Sequence, residues 1–127
     1  SLAAGHPVVV GGSLDTVMAG LACGEVSELA WEILHHGANA AVAIDDAYAL
    51  EAMRTFARPA VGDPAIVAGE TGGTGLAALL AARDYAGIRS TLGLDTGSRV
   101  LLLGSEGDTD AQIYREVIGR TAEEVLA

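Results

Sequence analysis

The chain has 127 residues, room for one domain with a real core, and a net charge of −10 from seven basic and 17 acidic side chains. All seven basic residues are arginine: Arg54, Arg58, Arg83, Arg89, Arg99, Arg115 and Arg120. The absence of lysine excludes a Walker-type phosphate loop and any Schiff-base or lysine-base chemistry carried by this chain alone, and the acidic balance argues against a polyanionic partner.

Aromatic residues are few, so core volume has to come from Ala, Val, Leu and Ile. The single cysteine, Cys23, has no internal disulfide partner, which fits a reducing compartment. With no basic neighbour in sequence, it is expected to be a buried, inert thiol. No apolar run approaches the ~20 residues of a bilayer span. The first seven residues show no basic region followed by an apolar stretch. A soluble, cytoplasmic location is the expectation.

In chain order, Val8-Val9-Val10 after Pro7 reads as a short strand. Leu14–Cys23 has Val17, Met18 and Leu21 at helical spacing, but Gly20 and Gly24 interrupt it. Ser27 is a candidate N-cap for a helix to His36, with Leu29, Ala30, Ile33 and Leu34 on one face and Gly37 as the stop. Ala40–Ile44 is an apolar run of the kind buried on both faces of a parallel sheet. Asp45 or Asp46 then caps a helix to Ala57, with Ala49, Leu50, Met53 and Phe56 inward. Pro59 ends it.

Gly62-Asp63-Pro64 is a turn, and Ala65–Ala68 reads as a second buried strand. Residues 69–75 (GETGGTG) lead into a helix from Leu76 to Tyr85. Arg99–Leu103 is the third clear strand, followed by the polar turn Ser105–Asp110. A helix from Gln112 to Arg120 follows, capped by Asp108 or Thr109, and a short one closes the chain at 123–126. Strands alternating with helices predict a single three-layer α/β unit over residues 1–127, with a mainly parallel sheet flanked by helices.

Ligands in such sheets sit at the carboxyl ends of strands, where the two Gly-rich segments 69–75 and 104–110 fall. The spacing G-x-x-G-G-x-G is not the dinucleotide fingerprint, and Glu70 would repel a phosphate. Glu70 suits a polar or cationic ligand atom instead. A turn built only for close packing explains the glycines equally well. Glu106, Asp108 and Asp110 raise the question of a divalent cation, but the D-x-D-x-D-G pattern is missing. His35 and His36 are adjacent and point to different faces of a helix, so zinc is disfavoured. Asp15-Thr16 suits either a cap or a pocket lining. Ser105 places a hydroxyl where it can bond a ligand's ring nitrogen.

Taken together, these segments resemble a known family. Residues 14–25 (LDTVMAGLACGE), Ala30-Trp31, Ala52-Met53-Arg54, Gly62-Asp63-Pro64, Gly69-Glu70-Thr71-Gly72 and residues 105–110 (SEGDTD) match, in order and spacing, the C-terminal portion of diaminopropionate ammonia-lyase. That family is similar to threonine dehydratase and the tryptophan synthase β subunit. The resemblance implies pyridoxal 5′-phosphate as cofactor and an α,β-elimination that turns 2,3-diaminopropionate into pyruvate and ammonia. In such enzymes a lysine holds the cofactor as a Schiff base, and a separate Gly-rich loop holds its phosphate. Both belong to the family's earlier sequence.

By family position, Gly69 and Glu70 lie beside the cofactor ring, and Gly104 and Ser105 face the pyridine nitrogen. Relatives often place a hydroxyl where this sequence has Gly104, so either Ser105 substitutes or that contact is lost. Thr16, Ala19 and Gly20 are implied on the substrate side. No catalytic residue and no metal ligand is implied within the chain. Its implied partners are a small amino-acid substrate and the missing N-terminal half or a second copy, with no nucleic acid and no membrane. Alternatives from other classes are a non-catalytic α/β module that binds a ligand or protein, and a fragment of a serine/threonine dehydratase-like enzyme.

Overall fold

A computed structural model describes all 127 residues. Six helices are formed: α1 (Glu28–Gly37), α2 (Asp46–Ala57), α3 (Thr74–Asp84), α4 (Ala86–Thr91), α5 (Ala111–Ile118) and α6 (Ala122–Leu126). Two single 3-10 turns, Leu2–Ala4 and Ala19–Leu21, precede them.

There is no strand, so the expected three-layer α/β fold with a mainly parallel sheet is corrected. The four apolar runs read as strands lack hydrogen-bonded pairing. Ala40–Ile44 and Arg99–Leu103 exchange no backbone hydrogen bond with any other segment. Val10 and Ile66 each make one isolated bond, to Gly24 (2.8 Å) and Phe56 (2.9 Å). A β-branched, apolar run records a preference for a pleated, buried surface, but only a neighbouring ladder makes it a strand. Without one, Val9, Leu101 and Leu103 are largely exposed.

The helices follow their local signals more closely. Ser27 caps α1 by accepting the Ala30 N–H at 3.3 Å. The apolar face of α1 is not covered: Leu29 is 73% and Ile33 69% exposed, and α1 buries no residue. α2 buries Ala49, Ala52, Met53 and Ala57 and packs on α3 and α5. α3 begins two residues before the expected Leu76, with the Thr74 hydroxyl donating to the Thr71 carbonyl at 2.5 Å. It buries Ala77, Ala81 and Ala82, and small side chains on both helices permit a close approach.

α4 has no clear sequence signal; Arg89 fastens it by donating to the Ala82 and Arg83 carbonyls near the end of α3. The cap of α5 is Asp110 rather than Asp108 or Thr109, accepting from the Gln112 and Ile113 N–H groups. α6 opens on a reciprocal Thr121–Glu124 capping box. The core consists of Met53, Ala57, Tyr114, Ile118 and Val125, with Leu50, Ala65, Val67, Val117 and Ala122 packed around it. It is small, with 16 of 127 residues buried, so most apolar runs lie outside it. No helix is long and apolar enough to cross a membrane.

Candidate functional site

The two Gly-rich segments meet, and Glu106 joins them. Its Oε2 accepts the N–H groups of Thr71 and Gly72, each at 3.1 Å. Its Oε1 accepts the Thr109 hydroxyl at 2.8 Å, and its backbone carbonyl accepts the Gly69 N–H at 3.2 Å. The approach is close enough to require glycine. A Cβ at Gly69 would collide with the Gly107 carbonyl oxygen, and one at Gly72 with that of Glu106. Thus 69–75 is tightly packed, and two of its N–H groups are already paired with an internal carboxylate.

Beside this joint lies a cleft of about 640 Å³, lined by Gly72, Leu102, Gly104, Ser105, Glu106 and Gly107 among others. Glu70 is 5% exposed. Ser105 and Gly104 are exposed at the cleft. The structure therefore brings Gly69 and Glu70 next to the 104–107 segment.

Of the three residues expected on the substrate side, Gly20 reaches the Gly-rich turn, Ala19 precedes it in the same 3-10 turn, and Thr16 is seated on α2. The Gly20 N–H donates to the Thr71 hydroxyl at 3.1 Å. Thr16 donates its hydroxyl to Asp46 Oδ1 at 2.5 Å, and the Val17 N–H donates to Asp46 Oδ2 at 2.8 Å. These bonds hold the Asp46 carboxyl below the usual carboxylate range, the Thr16 hydroxyl contributing most and burial opposing. Asp45 is the N-cap residue of α2 but accepts no capping bond.

A larger cleft of about 740 Å³ lies elsewhere, between residues 41–45 and the α3–α4 corner. It is mostly apolar, and its polar rim is already committed. Tyr48 donates to Asp84 at 3.1 Å, and Arg83 pairs with Asp84 (2.8 Å) and Glu51 (3.0 Å). We take the smaller cleft as the candidate site because Gly104 and Ser105 line it and the Glu106 joint, which holds the Gly69–Gly72 turn, forms its edge.

Two residues central to this geometry were not singled out for it by the sequence. Glu106 reads as one acid of a polar turn, and Asp46 as a helix cap. A carboxylate following a Gly-Ser turn, with a second Gly-rich turn upstream, is the only sequence signal for the Glu106 joint. Cys23 is exposed rather than buried, because the 13–24 segment lies on the surface. No group of three or more His, Cys, Asp or Glu side chains is placed to hold a metal ion. Glu106 is spent on the joint, and Asp110 on its helix cap.

The fit to a pyridoxal-phosphate group is divided. The buried Glu70 and the exposed Ser105 hydroxyl suit the polar edge of an aromatic ring. The Thr71 and Gly72 amides do not serve a phosphate, since Glu106 fills their donors. No lysine is present to bind an aldehyde.

Diaminopropionate ammonia-lyase of Escherichia coli (strain K12) is 41% identical over 117 residues, covering 90% of this chain and 29% of that protein. Diaminopropionate ammonia-lyase of Salmonella typhimurium is 36% identical over 124 residues, covering 93% of this chain and 31% of that protein. The chain thus spans about three tenths of the length of these relatives. The crystal structure of the Escherichia coli enzyme in complex with an aminoacrylate-PLP azomethine reaction intermediate superposes with a TM-score of 0.75 at 40% identity, covering 81% of this chain and 28% of that one. The family model for pyridoxal-phosphate dependent enzymes matches residues 1–103, and the chain belongs to that family.

Proposed function

We propose that this chain is the C-terminal portion of a pyridoxal-phosphate-dependent ammonia-lyase that converts 2,3-diaminopropionate and water into pyruvate and two molecules of ammonia, and that it is inactive by itself. The observation that carries the reading is a pair: 36–41% identity to diaminopropionate ammonia-lyases over some three tenths of their length, and no lysine within that span. When bound, the cofactor supplies an electron sink for the carbanion at the substrate's α-carbon.

This chain's residues supply one wall of the cleft. Gly69 and Glu70 would border the ring, on the turn that Glu106 holds through the Gly69, Thr71 and Gly72 amides. Ser105 offers a hydroxyl to the pyridine nitrogen. A hydroxyl, unlike a carboxylate, leaves that nitrogen largely unprotonated and so restrains the pull on the carbanion. Thr16, Ala19 and Gly20 border the substrate. The phosphate cradle and the lysine that moves the α-proton come from the part of the lyase outside these residues, because the only Gly-rich turn well placed here has its donors filled.

The test is pyruvate release from 2,3-diaminopropionate with added pyridoxal phosphate, by the isolated chain and by the complete polypeptide containing it. Turnover by the complete polypeptide alone is expected. Turnover by the isolated chain overturns its inactivity. Silence from both overturns the substrate assignment.

A further inference from the structure

We propose that Asp46 is a positioning residue, a latch that seats the 16–20 segment on the Gly-rich turn, and that it acts on substrate binding rather than on the chemical step. The inference rests on the reading above, in which that segment borders the substrate.

Residues 13–24 contain no helix beyond the single turn Ala19–Leu21. Their own backbone bonds are local: Ala19 to Val17 (2.9 Å), Leu21 to Met18 (2.8 Å) and Cys23 to Leu21 (2.8 Å). Such bonds curl a segment but do not place it on the molecule. Placement comes from contacts distant in sequence: the Val10 N–H ties the far end of the segment, at the Gly24 carbonyl (2.8 Å), to the chain just before it, and residues 16–20 are seated on the helical body at two points.

At the first point, Asp46 spends both carboxylate oxygens on the segment: Oδ1 on the Thr16 hydroxyl, Oδ2 on the Val17 N–H. Thr16 Oγ1 in turn accepts the Met18 N–H at 3.1 Å, so one side chain orients three successive residues. At the second point, Thr71 accepts the Gly20 N–H at 3.1 Å, and the Thr74 hydroxyl lies 3.8 Å from Met18 Sδ. A Cβ at Gly20 would stand 2.9 Å from Thr71 Cγ2, so the second seat is formed only at close approach. Met18, 7% exposed, is the buried pin between the two.

Asp46 is free for this because it stands in the first turn of α2, not at its N-cap, and its carboxylate has no bond within its own helix. The carboxylate is charge-assisted toward both donors, which makes this the stronger of the two seats. Loss of Asp46 leaves residues 16–20 held only at the second seat, by Thr71 and Thr74, next to the Gly69–Glu70 wall. The consequence is a looser substrate border with the wall itself unchanged, because Glu106 fastens that wall independently.

The experiment compares wild type, Asp46→Ala and Asp46→Asn in the complete lyase containing this chain. Two readouts are taken: amide hydrogen exchange, and steady-state kinetics of pyruvate release. In Asp46→Ala, exchange at Val17, Met18 and Gly20 is expected to rise about tenfold or more, the loss of two bonds to a charged acceptor. Core amides such as those of Met53 and Tyr114 are expected to keep their protection. KM for 2,3-diaminopropionate is expected to rise by about tenfold with kcat nearly unchanged, the pattern of lost uniform binding. Asp46→Asn keeps one acceptor oxygen and should fall between the two; it also carries the comparison if the alanine variant does not fold.

Unchanged exchange at Val17 and Gly20 overturns the latch, whatever the kinetics. Faster exchange with a fall in kcat and an unmoved KM overturns the positioning role. If the wild-type lyase releases no pyruvate, the functional reading fails, and the exchange data still decide the latch.

Discussion

Glu106 meets Gly72 twice: its carboxylate accepts the Gly72 N–H at 3.1 Å, and its carbonyl oxygen occupies the space a Cβ on residue 72 would need. The two contacts are broken by different variants. Gly72→Ala forces its Cβ against the Glu106 backbone, which typically costs about 1–3 kcal/mol. Glu106→Ala leaves that backbone in place but strands the Thr71 and Gly72 amides, also at about 1–3 kcal/mol. Glu106→Gln keeps an acceptor and is expected to lose less than half as much as the alanine variant. Urea denaturation midpoints at constant slope check the order; equal losses for Gln and Ala would contradict the joint.

Tyr114 makes a sharper case in the core. It is 1% exposed, and its hydroxyl is buried with no hydrogen-bond partner. Burial raises its pKa, with the Asp108 charge adding to the effect and Arg120 opposing it. The ring stabilises while the oxygen does not, so the two parts separate by mutation. Tyr114→Phe is expected to be neutral or to gain up to about 1 kcal/mol. Tyr114→Ala is expected to lose about 3–5 kcal/mol. Thermal unfolding of the two variants reads the difference, and a loss above about 1 kcal/mol for the phenylalanine variant would show a bond to that hydroxyl.

The contrast between Tyr114 and Leu101 explains how much the sequence disclosed. Tyr114 lies on a helix whose caps and periodicity are local, so α5 is legible from residues 108–120, with the cap at Asp110, one position past Thr109 and two past Asp108. Leu101 lies in an apolar run whose structure depends on a partner segment that periodicity does not specify, and here it is exposed and unpaired. The same rule holds in the candidate site. Gly69, Glu70 and Ser105 stand out because their types are unusual after apolar runs. Asp46 and Glu106 were missed because each acts on backbone amides 29 to 35 residues away, which leave no trace in composition.

Asp46 also sets an acid sensitivity. Its folded-state pKa lies below the ordinary 3.8, chiefly through the Thr16 hydroxyl and then the Val17 N–H. Its contribution is therefore complete above the unfolded value and fades as pH falls through the folded one. The stability difference between wild type and Asp46→Asn is expected to be flat at neutral pH and to shrink below about pH 4. A difference that grows on acidification would reverse the sign and remove the carboxylate from the contact.

At the opposite end of the pH scale, the Tyr48 phenol is pushed up to about 12, first by burial and then by its bond to the Asp84 carboxylate. Phenolate absorbance during alkaline titration should show late ionisation from both Tyr48 and the buried Tyr114, and the Tyr48 share should disappear in Tyr48→Phe. Asp84→Asn should move that share to lower pH, since it removes the charge that opposes ionisation. Late ionisation that neither variant changes would belong to another tyrosine alone.

The arginines give the last prediction. Arg58 donates to the Ile118 carbonyl at the end of α5 (3.0 Å), and Arg120 donates back to the Ala57 carbonyl at the end of α2 (3.1 Å). Arg54 adds a bond to the Val117 carbonyl at 3.3 Å. Each guanidinium thus satisfies a carbonyl that its own helix leaves open and sits at the negative end of the helix dipole. The exchange is reciprocal, so the joint between α2 and α5 is fastened from both sides beside the Met53–Tyr114 core. Arg58→Met keeps the apolar stem and removes the donors, and is expected to cost about 1.5 kcal/mol. Arg120→Met is expected to cost a similar amount. Because both bonds close one joint, opening it with the first substitution takes part of the second bond with it. The double variant is expected to lose less than the sum of the single losses, by about 0.5 kcal/mol or more. Arg58→Lys retains the charge but not the planar fork, and should recover only part of the loss. Chemical denaturation of the four variants against wild type measures these values; strict additivity would mean that the two arginines act on independent helix ends rather than on one joint.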